Sequence, residues 1–134
     1  MVNEAIIRDR LQNPLDFTVA DGTGIEKGTI LKLTSPRTAA TSSAAGDEIA
    51  GIAAREKVAL DGRTQLAVYR QGIFDLKASG AIPVGAAVKS EGHDNYVIIS
   101  GAVSGSSVLG YALETAAADD VFQVILNIGS GGVA

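Results

Sequence analysis

Apolar and polar residues alternate with a period of two along most of the chain after Pro14. The clearest segments are residues 15–19, 64–70 and 73–77, which are separated by Gly, Asp, Ser and Pro. A period of two is typical of half-buried strands, and short strands at regular spacing between turns are typical of a sandwich or small barrel. The pattern therefore predicts an all-β fold, with residues 1–12 and 114–120 as the two places where a short helix is considered.

The second half of the chain repeats the first half. Three pairs of residues share one constant offset between the halves: Ile25 and Ile82, Gly28 and Gly85, Lys32 and Lys89. A Gly-containing strand and then a longer apolar strand follow in each half. Such a repeat, with an offset that drifts by a few residues, indicates one β unit present twice with loops of different length. We predict pseudo-repeats over residues 25–77 and 82–128.

Both repeats lie in one predicted β domain, residues 15–128, which is a small barrel or β-clip-like sandwich built from two similar β units. Residues 1–14 precede it as an extended N-terminal arm, and the Gly-rich residues 129–134 follow as a flexible tail. The arm carries apolar side chains on a segment too short to bury them by itself. It is either a frayed terminus or an arm that becomes ordered on a partner.

Five glycines are predicted to have structural roles. Two of them precede apolar strands, where a turn residue with positive φ is expected. Two others lie inside strands, where glycine weakens the strand unless another backbone passes close by. The fifth separates two strand-like segments and predicts a bend or bulge. The two before strands are Gly28 and Gly85, the two inside strands are Gly51 and Gly110, and the fifth is Gly72.

Composition narrows the classes of function. The 134 residues include 11 Lys and Arg against 15 Asp and Glu, with no Cys and a net charge of -4. No cluster of basic residues stands out along the sequence, so nucleic acid is not an expected partner. No apolar segment approaches the roughly 20 residues of a membrane span, and the N-terminal residues lack the order of a secretion signal. We therefore expect synthesis in the cytoplasm and no membrane partner.

The sequence predicts no catalytic residue, no cofactor and no metal. His93 is the single histidine and lies in a polar turn, where a solvated side chain is expected. The acidic pairs at 47–48 and 119–120 are flanked by Ala or Gly, not by further oxygen ligands. The glycines of residues 22–28 lead into a strand, although phosphate binding requires a helix N-terminus. The expectation is a protein that is not an enzyme.

Four segments carry a resemblance to a known family: residues 72–78, 81–88, 108–114 and 121–127. They resemble the capsid decoration, or cement, proteins of tailed phages, the small β-rich family grouped with lambda-type head decoration proteins. The resemblance extends over most of the chain. Two features depart from the family: Lys and Ser stand at 89–90, where an aromatic residue is often found, and the N-terminal segment is longer than usual.

The resemblance implies a structural virion protein with a barrel or β-clip-like subunit, commonly trimeric. Such a subunit lies on the outer capsid surface at three-fold and quasi-three-fold positions, so its implied partners are the major capsid protein and further copies of itself. Binding across the joints between capsid subunits would stabilise the assembled shell by mass action, and a trimer would add avidity. If shell expansion creates the binding grooves, the mature shell is selected.

Residues 1–18 are the predicted capsid contact. Apolar side chains of the arm are expected to fill grooves, while residues 15–19 add a strand to an exposed sheet edge. The predicted interface residues are Ile6, Ile7, Leu11, Pro14, Leu15, Phe17 and Val19.

Two other functions stay open from the sequence. One is a carbohydrate-binding or surface-binding module displayed on the virion, although Tyr69, Tyr96 and Tyr111 are few and lie within predicted strands. The other is a nucleotide hydrolase of the dUTPase type, to which residues 61–63 and the Gly-rich tail bear a faint likeness. Fold analogy alone does not establish such an activity.

Overall fold

The computed structural model describes residues 3–11, 13–100 and 107–128. These residues form eleven β-strands, and the predicted all-β fold is confirmed. In chain order the strands are β1 Ile6–Arg10, β2 Leu15–Thr18, β3 Ile30–Ser35, β4 Thr38–Thr41, β5 Ile49–Ala53, β6 Gln65–Tyr69, β7 Gln71–Ala78, β8 Ala87–Ser90, β9 Tyr96–Ile99, β10 Val108–Ala112 and β11 Val121–Asn127.

Strands β2 to β6 form a closed five-stranded barrel in the order β2-β4-β3-β5-β6. β2 runs antiparallel to β6 and parallel to β4, so both of its edges have hydrogen-bonding partners. Alternate side chains of these strands point inward and fill the barrel, as expected for period-two strands. The largest of these core residues are Phe17, Leu31, Leu66 and Val68.

Strands β7 to β11 form a second closed barrel with the same connections. The sheet order β7-β11-β10-β8-β9 is closed by a parallel pairing of β9 with β7. Each pairing of the first barrel has its counterpart, so that β2 corresponds to β7 and β6 to β11. Isolated bridges join Ile25 to Lys57 in one barrel and Ile82 to Ala116 in the other. The prediction of two similar β units is confirmed.

The boundary between the two units lies at Arg70, between β6 and β7. The predicted repeat over 25–77 placed β7 at the end of the first unit. In the structure, Gln71 to Lys77 pair with β11, so β7 is the first strand of the second barrel. Its alternating pattern identifies a strand but carries no information about which distant strand will pair with it.

The two barrels pack against each other through apolar side chains. Ile30, Ile49 and Ile52 of the first barrel belong to the same buried cluster as Phe74 and Leu76 of the second. Every residue of β5 is buried because one face of this strand lines its own barrel and the other face meets the neighbouring barrel. The shared cluster makes the pair of barrels one packed body.

A single asparagine also ties three parts of the molecule together. Asn95, in the turn between β8 and β9, donates from Nδ2 to the carbonyl oxygens of Asn3 and Gly28, at 2.8 Å each. Its Oδ1 accepts from the backbone N–H of Ile30 at 2.8 Å. Asn95 has a φ of 60°, in the left-handed region that Asn tolerates better than most residues. The N-terminal segment and both barrels are therefore joined at this residue.

The N-terminal segment lies on the folded body. β1 pairs antiparallel with β7, and Ala5 is buried and donates from its backbone N–H to the carbonyl of Gly28 at 3.1 Å. Arg8 forms an ion pair with Asp75 of β7 at 2.7 Å. Residues 6–10 thus form an edge strand and not part of the helix considered for residues 1–12, because strand pairing supplies hydrogen-bonding partners and an isolated short helix is marginal. Residues 114–120 form turns around the bridge at Ala116.

Parts of the predicted termini lie outside the described residues. These are residues 1, 2 and 12 of the arm and the whole of the predicted tail, residues 129–134.

Glycine is required within two equivalent strands because a neighbouring backbone passes close. A Cβ on Gly51 of β5 would overlap the carbonyl oxygen of Tyr69, and a Cβ on Gly110 of β10 would overlap that of Ile125. Gly51 also has a φ of 149°, where side chains are strained. The other three glycines of the predicted set also have positive φ angles: Gly28 at 84°, Gly72 at 156° and Gly85 at 85°.

Candidate contact surface

Three apolar side chains are exposed along the N-terminal segment and the start of β2. They are Ile6 on β1, exposed to 51%, Leu11 in the link to β2, exposed to 54%, and Leu15, exposed to 37%. Ile7 and Pro14 are half-buried, and Ile7 packs against the core. We call Ile6, Leu11 and Leu15 the N-terminal apolar strip. Their side chains are available to a partner without unfolding of the protein.

Two of the predicted contact residues lie instead in the interior. Phe17 and Val19 are each only 2% exposed and fill the core of the first barrel. β2 pairs with β6 along its whole length and with β4 at Thr18, so it is a strand of the closed barrel and not a free edge strand. The alternation of apolar and polar residues identified which side chains of β2 share a face. The face that carries Phe17 is buried because the barrel closes around it. These two residues are therefore left out of the contact surface.

A basic cleft lies beside Pro14 of this segment, with a volume of about 510 Å³. Four basic side chains line it together with one carboxylate, Glu56. Among the described residues none of these four cations forms a salt bridge. The lining residues are Arg10, Pro14, Lys27, Ala54, Arg55, Glu56, Arg63 and Tyr69.

No basic cluster is visible along the sequence because these four cations come from separate segments of the chain. Arg10 ends β1, Lys27 precedes β3, and Arg55 and Arg63 lie at opposite ends of the loop between β5 and β6. Closure of the first barrel brings Lys27, Arg55 and Arg63 together, and the pairing of β1 with β7 of the second barrel adds Arg10. Neither charge patterning nor a motif along the sequence indicates this cleft.

One wall of the cleft belongs to a loop held by a buried ammonium group. Lys57 has a side chain with 0% exposure. Its Nζ donates to both the carbonyl and the Oδ1 of Asp21, at 3.0 and 3.1 Å, and to the Val58 carbonyl at 2.9 Å. A fourth acceptor is Asp61 Oδ1 at 2.8 Å. The buried charge is thus fully paired, as a buried ammonium must be.

The pKa values in this loop are shifted in opposite directions. Burial by itself lowers the pKa of Lys57, but the hydrogen bonds and charges of Asp61 and Asp21 outweigh it and the pKa is raised above 10.5. The hydrogen bond from Lys57, followed by that from the Arg63 backbone N–H, lowers the pKa of Asp61 from 3.8 to about 2. Each group therefore stabilises the charged form of the other.

The same loop presents two apolar side chains to solvent, Val58 at 59% and Leu60 at 78% exposure. Leu60 has a φ of 62°, and the equivalent residue of the second barrel is Asp119 with a φ of 68°. Left-handed backbone is unusual for a bulky residue and commonly marks a functional position. The loop therefore combines a backbone anchored by Lys57 with two exposed apolar side chains.

The geometry of these two barrels and their exposed surfaces can be compared with known proteins. The family model for phage cement proteins matches residues 10–128. The chain belongs to the phage cement protein family. It is thus a structural, virion-associated protein of a phage capsid and not an enzyme. The resemblance seen in the sequence is confirmed.

A solved structure shares the fold of this cement protein. It is described as the head fiber gp8.5 N base in bacteriophage phi29, and the two chains superimpose with a TM-score of 0.54 at 20% identity. The alignment covers 84% of this chain and 93% of that chain. At this identity the likeness supports the fold alone. None of the curated proteins compared matches this sequence.

Three of the residues considered for other functions, Asp61, Tyr69 and Tyr96, have structural partners in this cement protein, whereas Tyr111 is exposed to 44%. Asp61 of the dUTPase-like tripeptide accepts from Lys57 and from backbone N–H groups of its own loop. The ring of Tyr69 meets Phe74 edge to face at 5.6 Å, and the hydroxyl of Tyr96 donates to Asp119 at 2.8 Å.

The acidic pairs act within turns. Asp47 Oδ2 accepts from the backbone N–H groups of Ser43 and Ala44, and Asp120 Oδ2 accepts from that of Ala117. Over residues 3–11, 13–100 and 107–128, no group of three or more His, Cys, Asp or Glu side chains is placed to hold a metal ion. No helix in that part of the chain is long and apolar enough to cross a membrane.

A second group of exposed apolar residues lies on the second barrel. Val84, Leu113 and Val121 are exposed to 62%, 42% and 64%. Hydrogen bonds join their segments. The backbone N–H of Val84 donates to the Thr115 hydroxyl, and the backbone N–H of Leu113 donates to the Gln123 carbonyl. We call Val84, Leu113 and Val121 the second-barrel patch.

Proposed function

We propose that this cement protein binds the outer surface of a phage capsid, across the joints between neighbouring subunits of the major capsid protein. The N-terminal apolar strip is the observation that supports this contact most directly. Its three exposed side chains follow one another along a single segment of the chain, residues 6–15, and exposed apolar side chains grouped in this way favour an interaction site. Binding to the assembled shell but not to separate subunits stabilises the shell by mass action.

Two of the three strip residues lie on paired strands, Ile6 on β1 and Leu15 on β2. β1 is hydrogen-bonded to β7, and Arg8 ties it to Asp75. A contact surface that is already ordered loses little conformational entropy on association, so more of its apolar burial contributes to affinity. This geometry favours docking of a preformed strand over folding of a loose arm on the partner.

Replacing Ile6 with Thr and Leu11 with Ser tests this contact. Each substitution removes about 1 to 2 kcal/mol of the binding free energy gained by burying an apolar side chain. The double variant is therefore expected to bind shells at least about tenfold more weakly. Co-sedimentation with expanded and unexpanded shells that lack the cement protein measures the affinity. The matched control is Ile99→Thr, which alters an apolar residue of β9 exposed to 42%.

Unchanged binding of the folded double variant would refute the strip as the contact. Point variants are preferable to deletion of residues 1–14, because the deletion also removes buried Ala5 and the strand that covers β7.

We also propose that three copies associate into a trimer through the second-barrel patch. Light scattering is then expected to give three times the 13.6 kDa chain mass. Changing Val84 and Val121 to Glu places charges in the interface and is expected to yield monomers that bind shells more weakly, because avidity is lost. A wild-type mass of one chain at every concentration tested would contradict the trimer.

A further inference from the structure

We propose that the basic cleft binds an acidic, extended segment of the capsid protein. This inference rests on the proposed function and adds to it the chemistry of the partner. Four cations, Arg10, Lys27, Arg55 and Arg63, line a cleft of about 510 Å³ in which Glu56 is the one carboxylate among the lining residues. The chain as a whole carries a net charge of -4, so the cleft has the opposite sign to the rest of the protein. Charge complementarity of this kind selects partners and sets their orientation.

The types of side chain favour carboxylates as the ligand groups. Three of the four cations are arginines, whose planar guanidinium groups donate two parallel hydrogen bonds to one carboxylate. Tyr69 and Pro14 add apolar surface between the cations. A volume of this size accepts a few peptide side chains. Nucleic-acid binding normally uses a longer basic surface that follows a run of phosphates.

The cleft is preorganised by the loop that Lys57 anchors. Arg63 donates from its backbone N–H to Asp61 Oδ1 at 2.9 Å, and Asp61 accepts from Lys57 in turn. At the other end of the loop, Ala54 donates from its backbone N–H to the carbonyl of Ala67 at 2.9 Å. Both arginines of the loop therefore start from fixed backbone positions, which limits the entropy lost when they bind.

The position of the cleft fits a capsid contact. Arg10 and Pro14 line it, and Leu11 of the N-terminal apolar strip lies between them in the chain. A partner that covers the strip is thus brought next to the cleft. One acidic segment beside one apolar groove on the shell would satisfy both surfaces.

Fluorescence anisotropy with a labelled peptide of alternating Asp and Glu tests the proposal on the full chain. We expect saturable binding that weakens as salt concentration rises, and no binding of the matching Asn and Gln peptide. Changing Arg55 and Arg63 to Glu is expected to weaken peptide binding at least about tenfold. The control, Lys77→Glu with Lys89→Glu, makes the same change of charge on the second barrel and is expected to retain binding.

Three results would overturn the proposal: no binding of the acidic peptide to the wild type, equal binding to the Arg55 and Arg63 variant, or tighter binding of a single-stranded oligonucleotide of equal charge. The outcome is separable from that for the apolar strip. The Ile6 and Leu11 variant is expected to keep its affinity for the peptide while it loses binding to shells. Absence of peptide binding to the wild type therefore refutes the cleft, and retention of shell binding by the Ile6 and Leu11 variant refutes the strip.

Discussion

Replacing Gly110 with Ala is expected to lower the free energy of unfolding by about 2 to 3 kcal/mol. The added Cβ would overlap the carbonyl oxygen of Ile125 on the adjacent strand β11. A backbone atom in a closed barrel cannot move aside as the end of a flexible side chain can, so β10 and β11 must separate locally. Urea denaturation followed by circular dichroism measures the change.

The equivalent variant Gly51→Ala is expected to cost more, about 3 to 5 kcal/mol. It combines overlap with the Tyr69 carbonyl and the strain of a φ of 149°. The matched control is Gly80→Ala, where nothing lies within 4 Å of the added Cβ. Gly80→Ala is expected to leave stability unchanged or slightly higher, because alanine restricts the unfolded chain. Equal stabilities for Gly110→Ala and Gly80→Ala would show that the close approach is not present.

Replacing Lys57 with Met is expected to destabilise the first barrel strongly at neutral pH. The variant keeps the volume of the side chain but leaves the carboxylates of Asp21 and Asp61 without their cation, along with two carbonyls without their donor. Loss of one partner of a buried ion pair is more costly than replacement of both. A lower urea midpoint than in the exposed-lysine control Lys27→Met is the expected result.

The dependence of stability on pH distinguishes the contribution of this ion pair from that of apolar packing. The pKa of Asp61 is about 2 in the folded protein against an ordinary 3.8, so its contribution to stability is complete above pH 3.8. That contribution disappears as the pH falls from 3.8 to about 2. The raised pKa of Lys57 contributes fully at every pH below 10.5, and this contribution is lost as the pH rises from 10.5 through the folded-state pKa.

The wild type is therefore expected to lose stability between pH 3.8 and about 2 more steeply than Lys57→Met. Asp61→Asn, which lacks the titrating carboxyl, provides a second variant with the same expected flattening if Lys57→Met does not fold. Urea midpoints across this pH range measure the effect. Parallel pH curves for the wild type and Asp61→Asn would contradict the assignment of the shift to this pair.

Local features of the fold could be predicted from the sequence. The alternation at residues 15–19 and 64–70 corresponds to β2 and β6, and the constant offset between Ile25 and Ile82 corresponds to equivalent bridges in two similar barrels. These features depend on neighbouring residues and on repeated turns. Both leave a pattern that can be seen along the chain.

Features that depend on pairing between distant segments could not be predicted. The alternation within β7 is the same whichever barrel it joins, so the boundary at Arg70 was missed. The prediction that Phe17 contacts a partner is wrong because an alternating pattern does not show whether the apolar face of a strand is buried inside a barrel or covered by a partner. Asn95 and Lys57 also gave no signal, since a turn asparagine or a loop lysine is usually solvated, and their partners lie on segments that only the fold brings near.

By itself, the sequence determined that this protein is a twice-repeated all-β unit of the cement family, because strand periodicity, turn glycines and internal similarity are properties of short stretches of chain. The tertiary structure alone decided which apolar residues remain exposed and that four cations share one cleft. The physical reason is that burial and electrostatic fields depend on distances in space, and barrel closure sets those distances between residues that are far apart in the chain.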